Sequence, residues 1–249
     1  MKKHILLLVV LATFLISCEP ERPKVNNDSI LTLSNISGSL NLFDEKNNSV
    51  PSDRVLVYLE RGIGTYWGES EKDGSFIILN APYYINYTIV YEKQGYGTYK
   101  IFGYQHEYTG GVGSITEAPS LGKISTTYAT DLDIAVNGEN TEFTMDIMPA
   151  PSDGQLVRII FHSISAISNE VFSNYTALLA ISDSEQTFVF SKEELEEIGL
   201  EPGVKYWAQA YGDSYHSNGF MDEDLGKYVL PNLGYKDDLA VPTEDFVMP

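Results

Sequence analysis

Three histidines follow residue 17, namely His106, His162 and His216, and none stands in a spacing that metal chemistry commonly uses. A zinc site gathers its ligands closely, as in His-Glu-x-x-His, and here zinc would need carboxylates drawn from distant strands. Ser214 and His216, within Gly212-Asp213-Ser214-Tyr215-His216, bring a hydroxyl and an imidazole close in sequence. The Gly-x-Ser-x-Gly elbow of a hydrolase is absent, and residues two apart on a strand or loop rarely form a nucleophile and its base. Gly110-Gly111-Val112-Gly113 lacks the Lys-Ser/Thr of a phosphate loop. Asp222, Glu223 and Asp224 offer carboxylates for calcium without the EF-hand spacing, so a solvated turn is expected there. The expectation is a chain that is not an enzyme, with no cofactor and no metal.

The aromatic residues offer another kind of chemistry. Eight tyrosines lie between residues 83 and 108, at 83, 84, 87, 91, 96, 99, 104 and 108, and Tyr66 and Trp67 precede them. Tyrosine favours strands and pairs across them, so the run can be packing. Aromatic faces with polar rims also serve as platforms for a sugar ring or a protein hot spot. Residues 101–120 are the longest segment without a clear strand pattern and carry Tyr104, His106 and Tyr108 in alternation. Those three and Trp67 are the ligand-binding candidates, with Tyr104 and Tyr108 expected to lie outside the core.

The single cysteine, Cys18, has a different use. Lys2 and Lys3 form a short basic start, an apolar run over residues 5–16 is too short to span a bilayer, and Leu15-Ile16-Ser17-Cys18 closes it. That tetrapeptide resembles the lipobox of bacterial lipoproteins. The resemblance implies a signal peptide over residues 1–17, cleavage before Cys18, and acylation of its sulfur and new amine. Two or more acyl chains anchor a protein stably where one does not. Residues 18–30 then read as a polar, proline-containing tether. Glu19 and Glu21 resemble, in diluted form, the acidic export signal of Bacteroidetes-type lipoproteins, which implies an outer-membrane, surface-exposed location.

Removing residues 1–17 takes away Lys2 and Lys3 and moves the formal net charge from −19 to −21. Nucleic acid is excluded as a partner, because its backbone requires clustered Lys and Arg. An anionic membrane surface repels such a chain, which leaves the lipid at Cys18 as its membrane attachment.

The elements that must position these residues are strands. Runs rich in Val, Ile, Tyr, Phe and Thr alternate with Gly, Asn, Asp and Pro turns, so the fold class expected is all-β, as two β-sandwich domains in tandem. In residues 54–60, Val55, Val57 and Leu59 share one face. Asp73-Gly74 between apolar runs predicts a hairpin. Gly38, Asp73-Gly74-x-Phe76, Gly95-Tyr96 and the Leu-Gly-Lys-Ile at 121–124 occur in an order that resembles the carboxypeptidase regulatory-like domain, a transthyretin-like sandwich. The domain is placed at residues 31–148, and the resemblance implies no peptidase activity.

Residues 148–154, with two prolines and a terminal glycine, read as an interdomain joint. One helix is expected after Ser191, with Glu194 completing a capping box and Gly199 at the C-terminal cap. Beyond it, Leu200, Pro202-Gly203, Tyr206, Ala208, Ala210 and Tyr211 resemble the E–F corner of a fibronectin type III/Ig-like sandwich at residues 154–249. Tyr206, Ala208 and Ala210 fall on one face and Trp207, Gln209 and Tyr211 on the other. These features imply a lipid-anchored envelope protein presenting sandwich loops to a glycan or an envelope protein. The alternative is a subunit or anchor of a fimbria-like assembly, with a removable first strand and Arg22 or Arg54 as a cleavage site.

Overall fold

The computed structural model describes residues 32–61, 65–108, 110–236 and 239–249. Cys18 and the residues expected to form a signal peptide and a tether, 1–30, lie outside the described residues. The first half holds β1 (Leu33–Ser39), β2 (Asn41–Phe43), β3 (Ser49–Val50), β4 (Leu56–Glu60), β5 (Tyr66–Glu69), β6 (Ser75–Pro82), β7 (Asn86–Glu92), β8 (Tyr99–Gln105), β9 (Gly113–Ser114) and β10 (Ser120–Gly122). The second holds β11 (Tyr128–Asn137), β12 (Asn140–Met148), β13 (Leu156–His162), β14 (Asn174–Tyr175), β15 (Leu179–Ala180), β16 (Glu185–Ser191), helix α1 (Lys192–Ile198), β17 (Lys205–Asp213), β18 (Phe220–Asp222), β19 (Lys227–Val229) and β20 (Thr243–Val247). The protein is all-β, as its alternating sequence predicts.

In the first half, sheet β6-β1-β9 faces sheet β5-β4-β7-β8, with β10-β2-β3 closing one side. Ile36 and Ile78 from one sheet meet Val57, Leu59, Ile89 and Tyr91 from the other in a single core. Val55, Val57 and Leu59 point inward, while Leu56 stays exposed and Tyr58 half-buried. The turn at Asp73-Gly74 forms, with the Gly74 amide donating to the Glu71 carbonyl at 2.9 Å. Gly74 sits at φ +82°, and a Cβ there would lie 1.9 Å from the Leu40 carbonyl oxygen, so no other residue fits. β5 and β6 belong to different sheets, however, so the turn rounds a sandwich corner and does not close a two-strand ladder.

Residues 101–120 are not one long loop. β8 pairs along β7, β9 adds to β1 in parallel, and β10 adds to β2 in parallel. The sequence carries no clear strand pattern there because β8 is half-buried on both faces and its alternation is blurred.

In the second half the sheet order is β14-β13-β17-β11-β12-β16, with β15 on β13 and β20 on β17. Phe143, Phe161 and Phe246 pack edge to face at its centre. Tyr206, Ala208 and Ala210 join that core, while Tyr211 and Trp207 face a second cluster with Ile160, Ile167, Leu230 and Leu233. Helix α1 has the expected capping box, Ser191 with Glu194, and ends at Gly199 with φ +96°. Its buried Leu195 docks it on the core.

The boundary expected at residues 148–154 does not coincide with the sheets. β11 and β12, residues 128–148, pair with β17 and β16 and build the second core. Two prolines and a glycine mark a bend in the chain, whereas sheet membership follows hydrogen-bond pairing. The first core ends near Leu121. Residues 33–249 form one compact unit, and the halves are joined by polar side chains. Glu45 accepts from the Thr126 amide at 2.6 Å, and Asn218 accepts from the Gly122 amide at 2.7 Å. Among the described residues no helix is long and apolar enough to cross a membrane.

Candidate functional site

The outer face of sheet β5-β4-β7-β8 carries an aromatic surface open to solvent. Cross-strand register places Trp67 beside Tyr58 and Tyr58 beside Val90 in one row, and Glu69, Leu56 and Glu92 in the next. Leu56, Tyr58, Thr65, Trp67, Glu69 and Glu92 line an open groove of about 530 Å³. Trp67 keeps 56% of its surface in solvent. Gly68 sets its position: a Cβ there would lie 2.3 Å from the Ile77 carbonyl oxygen, so the missing side chain lets β5 lie against β6.

The Tyr58 hydroxyl donates to a Glu92 carboxylate oxygen at 2.8 Å. Burial, then that carboxylate, push the phenol well above its ordinary range, so Tyr58 stays protonated and keeps its hydroxyl as the donor to Glu92. The β8 edge of the same face is covered. Phe220 of the β18–β19 hairpin packs on Tyr99 and Phe102, Arg61 pairs with Asp224, and Lys100 bonds Glu60 at 3.2 Å. The groove is therefore the part of this face that the hairpin leaves open. It offers one flat indole, one fixed tyrosine, an aliphatic floor and two carboxylates as acceptors.

The four expected ligand-binding residues do not form one patch. Trp67 faces outward. Tyr104 pairs with Tyr87 and packs against the first core, so truncating it removes packing, contrary to the expectation that it lies in a loop outside the core. His106 is 1% exposed and stacks on Tyr83 at 4.5 Å. Gly113 abuts its ring, where a Cβ would lie 2.7 Å from Nδ1. Tyr108 is exposed and meets Tyr83 edge-on at 5.3 Å. Alternation along residues 104–108 failed as a guide because β8 ends at Gln105. Leu56, Tyr58, Glu69 and Glu92 are the residues that sequence reasoning missed. For Leu56 and Tyr58 the signal was present, since they alternate with Val55, Val57 and Leu59, whereas Glu69 and Glu92 join them through strand pairing.

The other motifs take structural roles. Ser214 is buried and its hydroxyl donates to the Lys123 carbonyl. His216 packs at a tilt on Phe43, ring centres 4.2 Å apart, with Nε2 2.8 Å from the Asn47 side-chain oxygen. Asp222 accepts from the Asp224 and Leu225 amides at 2.9 and 3.0 Å, which closes the turn of the hairpin. Among the described residues no group of three or more His, Cys, Asp or Glu side chains is placed to hold a metal ion. A larger cleft of about 630 Å³ runs between Asn169-Glu170 and the hairpin, where the Lys227 ammonium donates to the Glu170 carbonyl at 2.8 Å.

Burial lowers the pKa of His106, against the pull of the Ala81 and Ser34 carbonyls, and burial also lowers that of His216. The unfolded chain binds protons at these groups near pH 6.5 while the native protein resists them. Their contribution to stability is complete above about pH 6.5 and is lost as pH falls below it. The thermal midpoint is expected to drop between pH 7.5 and pH 5, and His106→Phe should drop less. A native midpoint no more acid-sensitive than the variant's would remove His106 from that account.

No protein-family model matches the chain, and no curated protein matches it. Among solved structures it is similar to a "putative carbohydrate binding protein" from Bacteroides uniformis, with 14% identity over 86% of this chain and 98% of that one, at a TM-score of 0.30. A DUF3823 family protein from Parabacteroides merdae overlaps 75% of this chain and 93% of its own at 8% identity and a TM-score of 0.29. The major pilin SpaD from Corynebacterium diphtheriae overlaps 79% of this chain and 63% of its own at 10% identity and a TM-score of 0.26. Superpositions this distant assign neither a family nor a function.

Proposed function

We propose that the chain is a lipid-anchored, non-catalytic binding protein of the cell envelope, held through Cys18 in the outer membrane and facing outward, and that it binds a glycan on the groove around Trp67. The observation that carries the ligand reading is the exposure of Trp67 beside the fixed Tyr58 on a rigid strand pair. A sugar ring stacks its apolar face on an indole, and its hydroxyls donate to carboxylates at the rim. Glu69 and Glu92 stand at that rim. The first half is read as a carboxypeptidase regulatory-like sandwich and the second as fibronectin type III/Ig-like.

A glycan array probed with the Cys18→Ala chain, followed by calorimetry on the best ligand, tests the binding. Trp67→Ala should weaken it by about 1–2 kcal/mol, roughly a tenfold loss. The thermal midpoint should hardly move, because the side chain is mostly in solvent. Failure of every glycan to bind, or an unchanged affinity in Trp67→Ala, would overturn this reading.

A further inference from the structure

Where the described chain enters its first strand, an apolar surface is left open. β1 begins at Leu33, which pairs with Pro82 at the end of β6. Around that point Leu33, Leu79, Tyr84, Tyr108 and Val112 each keep between 49% and 80% of their surface in solvent. Tyr83 ties Tyr84, Tyr108 and the loop before Val112 together. Its ring packs against Tyr84 at 6.2 Å and Tyr108 at 5.3 Å, and its hydroxyl donates to the Gly111 carbonyl at 3.2 Å. The Ser34 hydroxyl donates to the same carbonyl at 2.6 Å, which places Val112 beside β1.

Two features mark this end as more than scattered exposure. Tyr84, the most exposed of the five, sits at φ +61°, a left-handed conformation that bulky residues rarely adopt. Its amide donates to the His106 carbonyl at 2.8 Å, so the fold holds the ring outward. The second feature is charge. In a chain of net charge −19, residues 33–36, 78–86, 108 and 110–113, which stand at this end, contain no charged side chain. Glu107 is the charged neighbour within the loop.

Cys18 stands fifteen residues before Leu33, a reach of roughly 50 Å at full extension. A bilayer holding that cysteine is thus within reach of the open end. Tyrosine rings settle at the headgroup level of a bilayer with aliphatic side chains beneath them. The acidic remainder of the surface is kept off by the like charge of anionic lipid. We infer that this neutral end, built around Tyr84, Tyr108, Val112, Leu33 and Leu79, docks on the surface of the bilayer to which Cys18 is anchored, so that the protein has a fixed orientation and does not swing on its tether. The inference rests on the lipid-anchor reading and is independent of the glycan reading.

The test uses the full lipidated chain in phosphatidylcholine vesicles, with and without brominated acyl chains. Tyr84→Trp is compared with the native protein, whose Trp67 and Trp207 supply the background. The added indole is expected to be quenched several-fold more than that background, and Val112→Glu in the same chain should abolish the excess. Quenching no greater than in the native protein, when both float with the vesicles, overturns the docking. Failure to float at all refutes the anchor. Docking is then decided with the Cys18→Ala chain held by an N-terminal hexahistidine on nickel-chelating lipid, where excess quenching supports it and none overturns it. Equal quenching in the Val112→Glu variant also overturns it, since a charge buried at that loop would then meet no lipid.

Discussion

Replacing Asn232 with alanine is expected to lower the stability of the whole protein by about 3 kcal/mol or more. Asn232 is fully buried and belongs to neither sheet. Its side-chain oxygen accepts from the Gly97 amide at 3.0 Å. Its side-chain nitrogen donates to the His216 carbonyl at 2.6 Å and to the Asn218 side-chain oxygen at 2.9 Å. Its own carbonyl accepts from the Ser125 amide at 3.0 Å. One amide thus binds the first half, at Gly97, to the second, at His216 and Asn218. Alanine would leave the buried Gly97 amide and the part-buried His216 carbonyl without these partners, and a fully buried group so stranded costs about 1–3 kcal/mol. Water cannot easily replace the amide, because the backbone there is in close contact: a Cβ on Gly97 would lie 2.4 Å from the Pro231 carbonyl oxygen. Urea unfolding followed at Trp67 in the first half and Trp207 in the second is the measurement. One coincident transition is expected, shifted to lower urea in Asn232→Ala. An unshifted midpoint, or two separate native transitions, would refute the role of Asn232 as the join.

Arg158→Met should destabilise by about 3–5 kcal/mol. The Arg158 guanidinium bonds Asp213 at 2.7 Å and the Thr176 carbonyl at 2.5 Å, over the ring of Tyr175. Both ions are buried. Burial pushes the Asp213 carboxyl up, and the guanidinium draws it back down. Without the arginine, Asp213 faces the full penalty of burial with the Ser214 amide as its remaining partner. The double variant Arg158→Met, Asp213→Leu should recover most of the loss, because apolar side chains of similar volume satisfy the site without charge. Equal denaturation midpoints for the single and double variants would show that an unpaired carboxylate is not what destabilises the first.

Much of the local structure is legible in the sequence. Val55, Val57 and Leu59 announce a buried face by period two. Ser191, Glu194 and Gly199 announce one capped helix, and Tyr206, Ala208 and Ala210 announce a core strand. These are short-range signals, set by backbone sterics and by side chains a few residues apart. The turn at Asp73-Gly74 shows where such signals stop. The dipeptide dictates a reversal of direction, but whether the flanking strands pair or part into two sheets depends on partners elsewhere in the chain. The same limit explains the joint at residues 148–154. Proline and glycine mark a bend, while β11 and β12 choose their sheet through hydrogen bonds to β16 and β17, far along the sequence.

The site divides in the same way. Trp67 was singled out by its residue type. Tyr104 and His106 were singled out by a loop that proved to be a strand and its end. Sequence by itself determined the all-β class, the outward row of Leu56, Tyr58 and Glu60, and the neutrality of the segments beside the first strand. Tertiary structure alone decided that Trp67, on the outer strand of the row, stays open while Val90, paired on both sides by β4 and β8, is buried. It also decided that Tyr84 and Tyr108 point out around a buried Tyr83, and that Asn232 bonds to both halves at once. Alternation tells which side of a strand a residue takes; only the packing of distant strands tells whether that side meets protein or water.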